Sequence, residues 1–297
     1  MTFYLTDVFG NTRYSGNQLA VFFDFGRLTQ KEMQQIAREI NFSETTFVIS
    51  REKVDGGYPV RIFTPEKEID FAGHPTLGSA FIINKYLENG KPGKVNLNLK
   101  AGQIPVTCSK GIWWMKHNQP QFGKNHTIEQ MAAVLGLQAN DIDERFPIQE
   151  VTTGLPFTIV PLKTIEGLKR SRVNPDIYNL FIQQTWAKGI LVFCPEAYEP
   201  LHDLSSRVFV DYLGVPEDPA TGSATGCLAA YLVKYGMFGK GRLEMTIGQG
   251  YEIGRPSELK IRAGMNNNEF KIFVGGKVIE VAEGRWKIED GRTNNEK

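Results

Sequence analysis

Arg61-Ile-Phe followed by Phe71-Ala-Gly-His-Pro-Thr-Leu-Gly-Ser-Ala-Phe-Ile is echoed by Arg207-Val-Phe followed by Glu217-Asp-Pro-Ala-Thr-Gly-Ser-Ala-Thr-Gly-Cys-Leu. In both places a strand-like triplet leads through a short acidic loop to a turn of small residues and an apolar run, ending near Tyr86 and Tyr235. Each run is apolar on nearly every side (Leu77, Ala80, Phe81, Ile82; Leu228, Ala229, Ala230, Leu232), as expected of a helix enclosed by sheet. A Gly-Gln segment follows each, Gly102-Gln and Gly248-Gln. Four features in the same order read as an internal duplication.

Around this repeat, short runs rich in Val, Ile, Phe and Thr predict strands, among them 2–9, 18–23, 45–49, 60–64, 154–162, 189–193, 207–211, 258–262 and 269–274. Thr29 with Glu32, and Thr127 with Gln130, each offer a helix N-cap and a return acceptor. Strands outnumber helices and are not separated by a helix each time, which argues for an α+β chain with mostly antiparallel sheets over a doubly wound parallel one. At 297 residues the chain reaches the size at which one core stops growing, and the repeat divides it into halves, 1–118 and 119–297, with the C-terminal strand a candidate to return to the first. The stretch from His117 to Glu150 reads as the crossover between them.

Composition narrows the function. Lys and Arg number 34 against 33 Asp and Glu, so no excess of positive charge recommends a nucleic acid or an acidic membrane surface as partner. The longest apolar runs fall well short of the roughly 20 residues that span a bilayer. Three widely spaced cysteines, Cys108, Cys194 and Cys227, suit a reduced compartment, and with no secretory pattern at the start the expectation is a cytoplasmic protein.

The two small-residue turns are where chemistry is expected. A helix amino terminus presents unpaired N–H groups and a favourable dipole to an anion, so Gly73 on one side and Thr221, Gly222 and Ser223 on the other are candidates to bind a small carboxylate. The plain alternative is that Gly and Ala only ease packing. Ionisable groups stand beside the turns: His74 in the first, Asp218 in the second. Glu44 sits where a chain leaves a helix for the sheet, and burial there raises a carboxyl pKa and suits a proton shuttle. A hydrolase triad of Ser223, His74 and Asp218 fails, because the nucleophile elbow wants glycines where Thr221 and Thr225 stand. The four histidines are scattered, without a metal-binding spacing, and Gly248-Gln-Gly-Tyr-Glu-Ile-Gly departs from the dinucleotide fingerprint in spacing and context. No metal or cofactor is expected.

Asn17-Gln-Leu-Ala-Val-Phe, Ser43-Glu-Thr-Thr-Phe, Arg61-Ile-Phe-Thr-Pro, Phe71-Ala-Gly-His-Pro and Glu217-Asp-Pro-Ala-Thr-Gly-Ser-Ala-Thr-Gly together resemble the motif blocks of the phenazine biosynthesis PhzF-like family, over essentially the whole chain. The resemblance implies a diaminopimelate epimerase-like fold: two pseudo-symmetric halves, each a mostly antiparallel sheet barrel around a central helix, with the site between them. It implies an isomerase without cofactor in which the residue at Glu44 shuttles a proton while those at His74, Asp218 and Ser223 bind and orient substrate, and it implies a homodimer. The epimerases of that fold use a cysteine at each helix start; the matching positions here read as Ala72 and Ala220, which excludes two-thiol racemisation. The expectation is therefore a proton shift on a small carboxylate-bearing metabolite, PhzF-like, with Glu44 as general acid/base. A non-catalytic carboxylate-binding protein, or an epimerase with a non-cysteine acid/base pair, stands as the alternative. Loops at 14–16, 151–156 and 211–216 are expected to shape specificity.

Overall fold

In the computed structural model, which describes residues 1–91, 93–239 and 241–288, the duplication is visible in the order and direction of strand pairing. The first half is built from β1 (Thr2–Val8), β2 (Asn17–Phe23), β3 (Glu44–Val48), β4 (Tyr58–Phe63), β5 (Glu68–Ile69), β6 (Lys94–Leu99), β7 (Gly102–Ser109) and β8 (Ile112–Lys116). The second is built from β9 (Gln121–His126), β10 (Ile148–Thr152), β11 (Pro156–Pro161), β12 (Gly189–Cys194), β13 (Leu204–Val210), β14 (Val215–Asp218), β15 (Leu243–Gln249), β16 (Ser257–Asn266) and β17 (Glu269–Gly276). From β1 the ladder runs β2, β3, β4, β6, β7, β8, alternating antiparallel and parallel and ending with two antiparallel pairs. From β10 it runs β11, β12, β13, β15, β16, β17 with the same directions in the same order.

One strand crosses between the halves. β18 (Val278–Arg285) follows β17 in sequence yet pairs antiparallel with β1, the place that β9 takes beside β10. The last strands of the two ladders, β8 and β17, pair with each other. The pairings among the described residues thus form one continuous curled sheet running through both halves, with neither half closed upon itself as a barrel. The expected crossover, 117–150, is more than a connection: it carries β9, the helix α3 (Ile128–Leu135) and β10. The polar alternation of Gln121–His126 hid that strand from a reading based on β-branched content.

Each half encloses one helix. α2 (Gly73–Leu87) packs against β1, β2, β3, β6, β7, β8 and β18, and α6 (Gly222–Tyr235) against β10, β11, β16 and β17. Both belong to one shared core, which explains why these helices have no polar face. Further helices cover the outer faces. α1 (Gln30–Ile40), started by the Thr29–Glu32 capping box, lays Met33, Ile36 and Ala37 on Ala20, Phe22, Phe47 and Phe63. In the second half, α3, whose cap Thr127 accepts from the Gln130 N–H, joins α4 (Ile165–Arg170) and α5 (Pro175–Gln183) over Ile190, Val192 and Cys194. β2 and β12 are consequently buried on both faces and read as continuous apolar runs.

The repeated arginines have a common duty. Arg61 on β4 forms a two-pronged ion pair with Glu68 on β5, at 2.7 Å for each prong. Arg207 on β13 does the same to Glu217 on β14, at 2.9 and 2.6 Å. Planar forks of this kind fix orientation as well as charge, and each clamps the segment that enters the central helix. The fourth repeated feature is a coincidence: Gly102-Gln opens β7 whereas Gly248-Gln closes β15, on opposite sides of their hairpin turns.

Candidate active site

The amino termini of α2 and α6 meet head to head. A Cβ on Gly73 would stand 3.2 Å from the Ser223 backbone nitrogen and 3.3 Å from the Gly222 Cα, so a side chain there would press the two helix starts apart by a few tenths of an ångström. Neither helix start has a side-chain cap, and each terminus carries about half a positive charge from the aligned peptide dipoles. Two such ends facing each other attract a negative group.

Carboxyl groups line the junction. Glu44 is the first residue of β3 and projects beside α2, where its Oε2 lies 3.4 Å from His74 Nε2. The two side chains are 14% and 5% exposed, and neither atom has a hydrogen-bond partner among the described residues. Burial, reinforced by the Asp218 charge, pushes the Glu44 carboxyl up to about 8. Burial drives His74 down to about 3 against an opposing hydrogen bond to the Gln18 backbone. Since Nε2 is unpartnered, that bond falls to Nδ1, and a neutral ring turns its free nitrogen toward Glu44.

Asp218 stands at the end of β14, pushed up to about 6 by burial, with hydrogen bonds from Thr221, Asn17 and Ser43 pulling it back. Asn17 Nδ2 donates to Asp218 Oδ1 at 2.9 Å and to the Ala220 carbonyl at 3.0 Å, so the first residue of β2 ties the second turn to the first half. Thr221 Oγ1 donates to Asp218 Oδ2 at 2.5 Å. The buried Gln249 donates to the Asp218 carbonyl at 2.8 Å and accepts from the Thr221 N–H at 3.4 Å. Across the mouth, Arg255 Nη2 donates to Asp7 Oδ1 at 2.7 Å while the Tyr14 N–H donates to Asp7 Oδ2 at 2.6 Å, bracing the loop before Asn17.

Glu44, His74, Asp218, Gly73, Thr221, Gly222 and Ser223 are thus gathered at one junction, although they come from three separate stretches of chain. The Ser223 hydroxyl has no protein partner among the described residues. Asn17 and Gln249 escaped the sequence reading as site residues; both stood inside quoted motifs, Asn17 opening a block and Gln249 closing the Gly-Gln segment. Tyr212 did as well: its phenol is pushed up by burial and then by the Glu44 charge, which brings the 211–216 loop to the carboxyl. One match needs correction. Ala72 is the N-cap of α2, whereas the N-cap of α6 is Thr221 and not Ala220, so the cap positions carry a methyl and a hydroxyl. Neither carries a thiol; Cys227 is buried a turn deeper, donating toward the Leu155 carbonyl at 3.4 Å.

Known proteins share the sequence pattern and the fold. The family model described as phenazine biosynthesis-like protein matches residues 6–284. The trans-2,3-dihydro-3-hydroxyanthranilate isomerase of Pseudomonas aeruginosa is 33% identical, over 94% of this chain and 96% of its own. A phenazine biosynthesis protein of the PhzF family from Bacillus anthracis superposes with a TM-score of 0.87 at 28% identity, covering 97% of this chain and 99% of the other. A probable proline racemase from Agrobacterium radiobacter shares the fold at a TM-score of 0.64 and 7% identity, covering 98% and 94% of the two chains. An α+β sheet wrapped on two central helices is the fold of these relatives, several of them isomerases as this chain is, and the chain belongs to the phenazine biosynthesis-like PhzC-PhzF family.

Proposed function

We propose that this isomerase moves a proton between two carbons of a small carboxylate-bearing metabolite without a cofactor, with Glu44 as general acid/base. The observation that carries the reading is the Glu44 carboxyl, raised to about 8 and set 3.4 Å from a neutral His74 beside two uncapped helix starts. A base with a pKa near working pH can both take and return a proton. The N–H groups of Gly73 and of Gly222 to Ser223 would hold the substrate anion and the charge that develops when a C–H is broken. His74 and the Ser223 hydroxyl would bind its polar groups, and Asp218, fixed by Asn17 and Thr221, would orient it. The expected homodimer, cytoplasmic setting and functional division at 118/119 belong to the same reading.

The relative's substrate supplies the first candidate. Trans-2,3-dihydro-3-hydroxyanthranilate and related unsaturated carboxylates should be incubated with the protein in heavy water and followed by NMR. Isomerisation with deuterium uptake in the wild type, abolished in Glu44→Gln, is the expected result. Equal turnover by Glu44→Gln would transfer the proton shuttle to another group.

A further inference from the structure

The strands that join the halves carry a feature unrelated to this junction. On β7, β8, β17 and β16 one face, with Val106, Met115, Val274 and Ala263, is buried in the shared core. The opposite face bears Trp114, Arg262, Lys271 and Phe273 and opens into a cavity of about 550 Å³. Glycine creates the floor: a Cβ on Gly275 would lie 2.6 Å from the Trp114 ring, so the indole lies flat across that strand. The Arg262 guanidinium covers the ring at 4.1 Å from its centroid, while its Nε donates to Glu244 at 2.9 Å. Trp114 is thereby only 5% exposed although it points away from the core, and its indole N–H is unpartnered. Two more cations, Arg242 and Lys271, line the cavity, and neither has an ion-pair or hydrogen-bond partner among the described residues.

An apolar floor beneath an excess of unpaired cations favours one kind of ligand. We propose that this seam cavity is a second binding site, separate from the Glu44 junction, for an organic anion with a planar apolar body. The ring would lie against Phe273 and the covered indole, and a carboxylate or phosphate would meet Arg242 and Lys271, since charge-assisted hydrogen bonds reward a negative group most.

Phenyl phosphate and benzoate are suitable probes, with inorganic phosphate and neutral benzamide as controls, read by the Trp114 indole resonance in ¹⁵N-labelled full-length protein. The expected result is a saturable shift with phenyl phosphate or benzoate, retained in Glu44→Gln. In the doubly substituted Arg242→Glu/Lys271→Glu protein affinity should fall by at least about tenfold. Both side chains are exposed, so circular dichroism should be unchanged. Any one of three outcomes would overturn the site: no saturable shift, an equal response to benzamide, or an undiminished affinity in the charge-reversed protein. Loss of probe binding in Glu44→Gln alone would place the probe in the catalytic junction. A wild-type dimer that the double substitution dissociates would mean that a second copy fills the cavity.

Discussion

Glu44 Oε2 and His74 Nε2 face each other at 3.4 Å, both buried, one a carboxyl raised to about 8 and the other an imidazole lowered to about 3. At neutral pH the pair is predominantly uncharged, so the contact is a proton-sharing geometry and adds little as an ion pair. Glu44→Gln keeps the shape and removes the titration. Turnover should fall by about 10²–10⁴-fold, while the melting temperature stays level or rises because a buried acid has been removed. Stopped-assay rates and calorimetry on the same preparation check both halves of this expectation.

Asp218 raises the Glu44 carboxyl through its charge. In Asp218→Asn that contribution vanishes, so the limb of kcat/KM that reports ionisation of Glu44 should move to lower pH, besides any loss from poorer orientation of substrate. The limbs of the wild-type profile belong to the pair as a whole. A profile shifted upward, or not at all, would contradict the coupling.

Stability should depend on pH in two opposed ways. Glu44 holds its proton more tightly folded than unfolded, so its contribution is present below its ordinary 4.5 and is lost as pH rises toward about 8. His74 and His117 are neutral in the fold, at about 3 and about 4, so their contribution is present above their ordinary 6.5 and is lost as pH falls through those values. Below 6.5 the two histidines oppose Glu44, so urea unfolding at several pH values should show the decline due to Glu44 between 6.5 and 8, and that decline should be lost or shallower in Glu44→Gln.

Gly73→Ala inserts a methyl 3.2 Å from the Ser223 backbone nitrogen. Backbone cannot swing aside as a side chain does, so the two helix starts must separate. Overpacking of this kind costs about 1–3 kcal/mol, and because the shift needed is a few tenths of an ångström the rate should fall by less than the roughly 10²-fold that a 1 Å misplacement brings. Full activity with unchanged stability would show that the termini are less closely apposed.

The two arginine clamps are equivalent in position and different in burial. Arg207 and Glu217 are 3% and 8% exposed, against 30% and 15% for Arg61 and Glu68. Arg207→Ala strands a buried carboxylate and should cost about 3–5 kcal/mol, whereas Arg61→Ala, in a better solvated pair, should cost about 1 kcal/mol. Chemical denaturation of the two variants gives the comparison directly.

Local pattern was sufficient for much of this molecule. The two central helices could be read from Leu77 to Ile83 and from Leu228 to Val233 because a helix apolar on every side has nowhere to lie except inside sheet. The small-residue turns before them located both anion-attracting ends, and Glu44, His74 and Asp218 stood out as ionisable groups beside those turns. β9 was not legible, since a strand with polar faces lacks the apolar alternation that marks the rest, whereas a C-terminal strand returning to the first half was expected and is β18 beside β1. The cap equivalence of Ala72 with Thr221 likewise depends on where a helix begins in space.

The sequence by itself therefore determined the duplication, the enclosed helices and the residue types at their starts, all encoded over a few neighbouring positions by hydrophobic period and turn chemistry. Tertiary structure alone decided which of these meet. The Asn17 bond to Asp218 spans 201 residues of chain, and Glu44 faces His74 only because β3 runs parallel to β2 beside α2. Such proximities arise from the packing of whole sheets around one core, and packing also sets the burial that moves the Glu44 and His74 protonation equilibria in opposite directions.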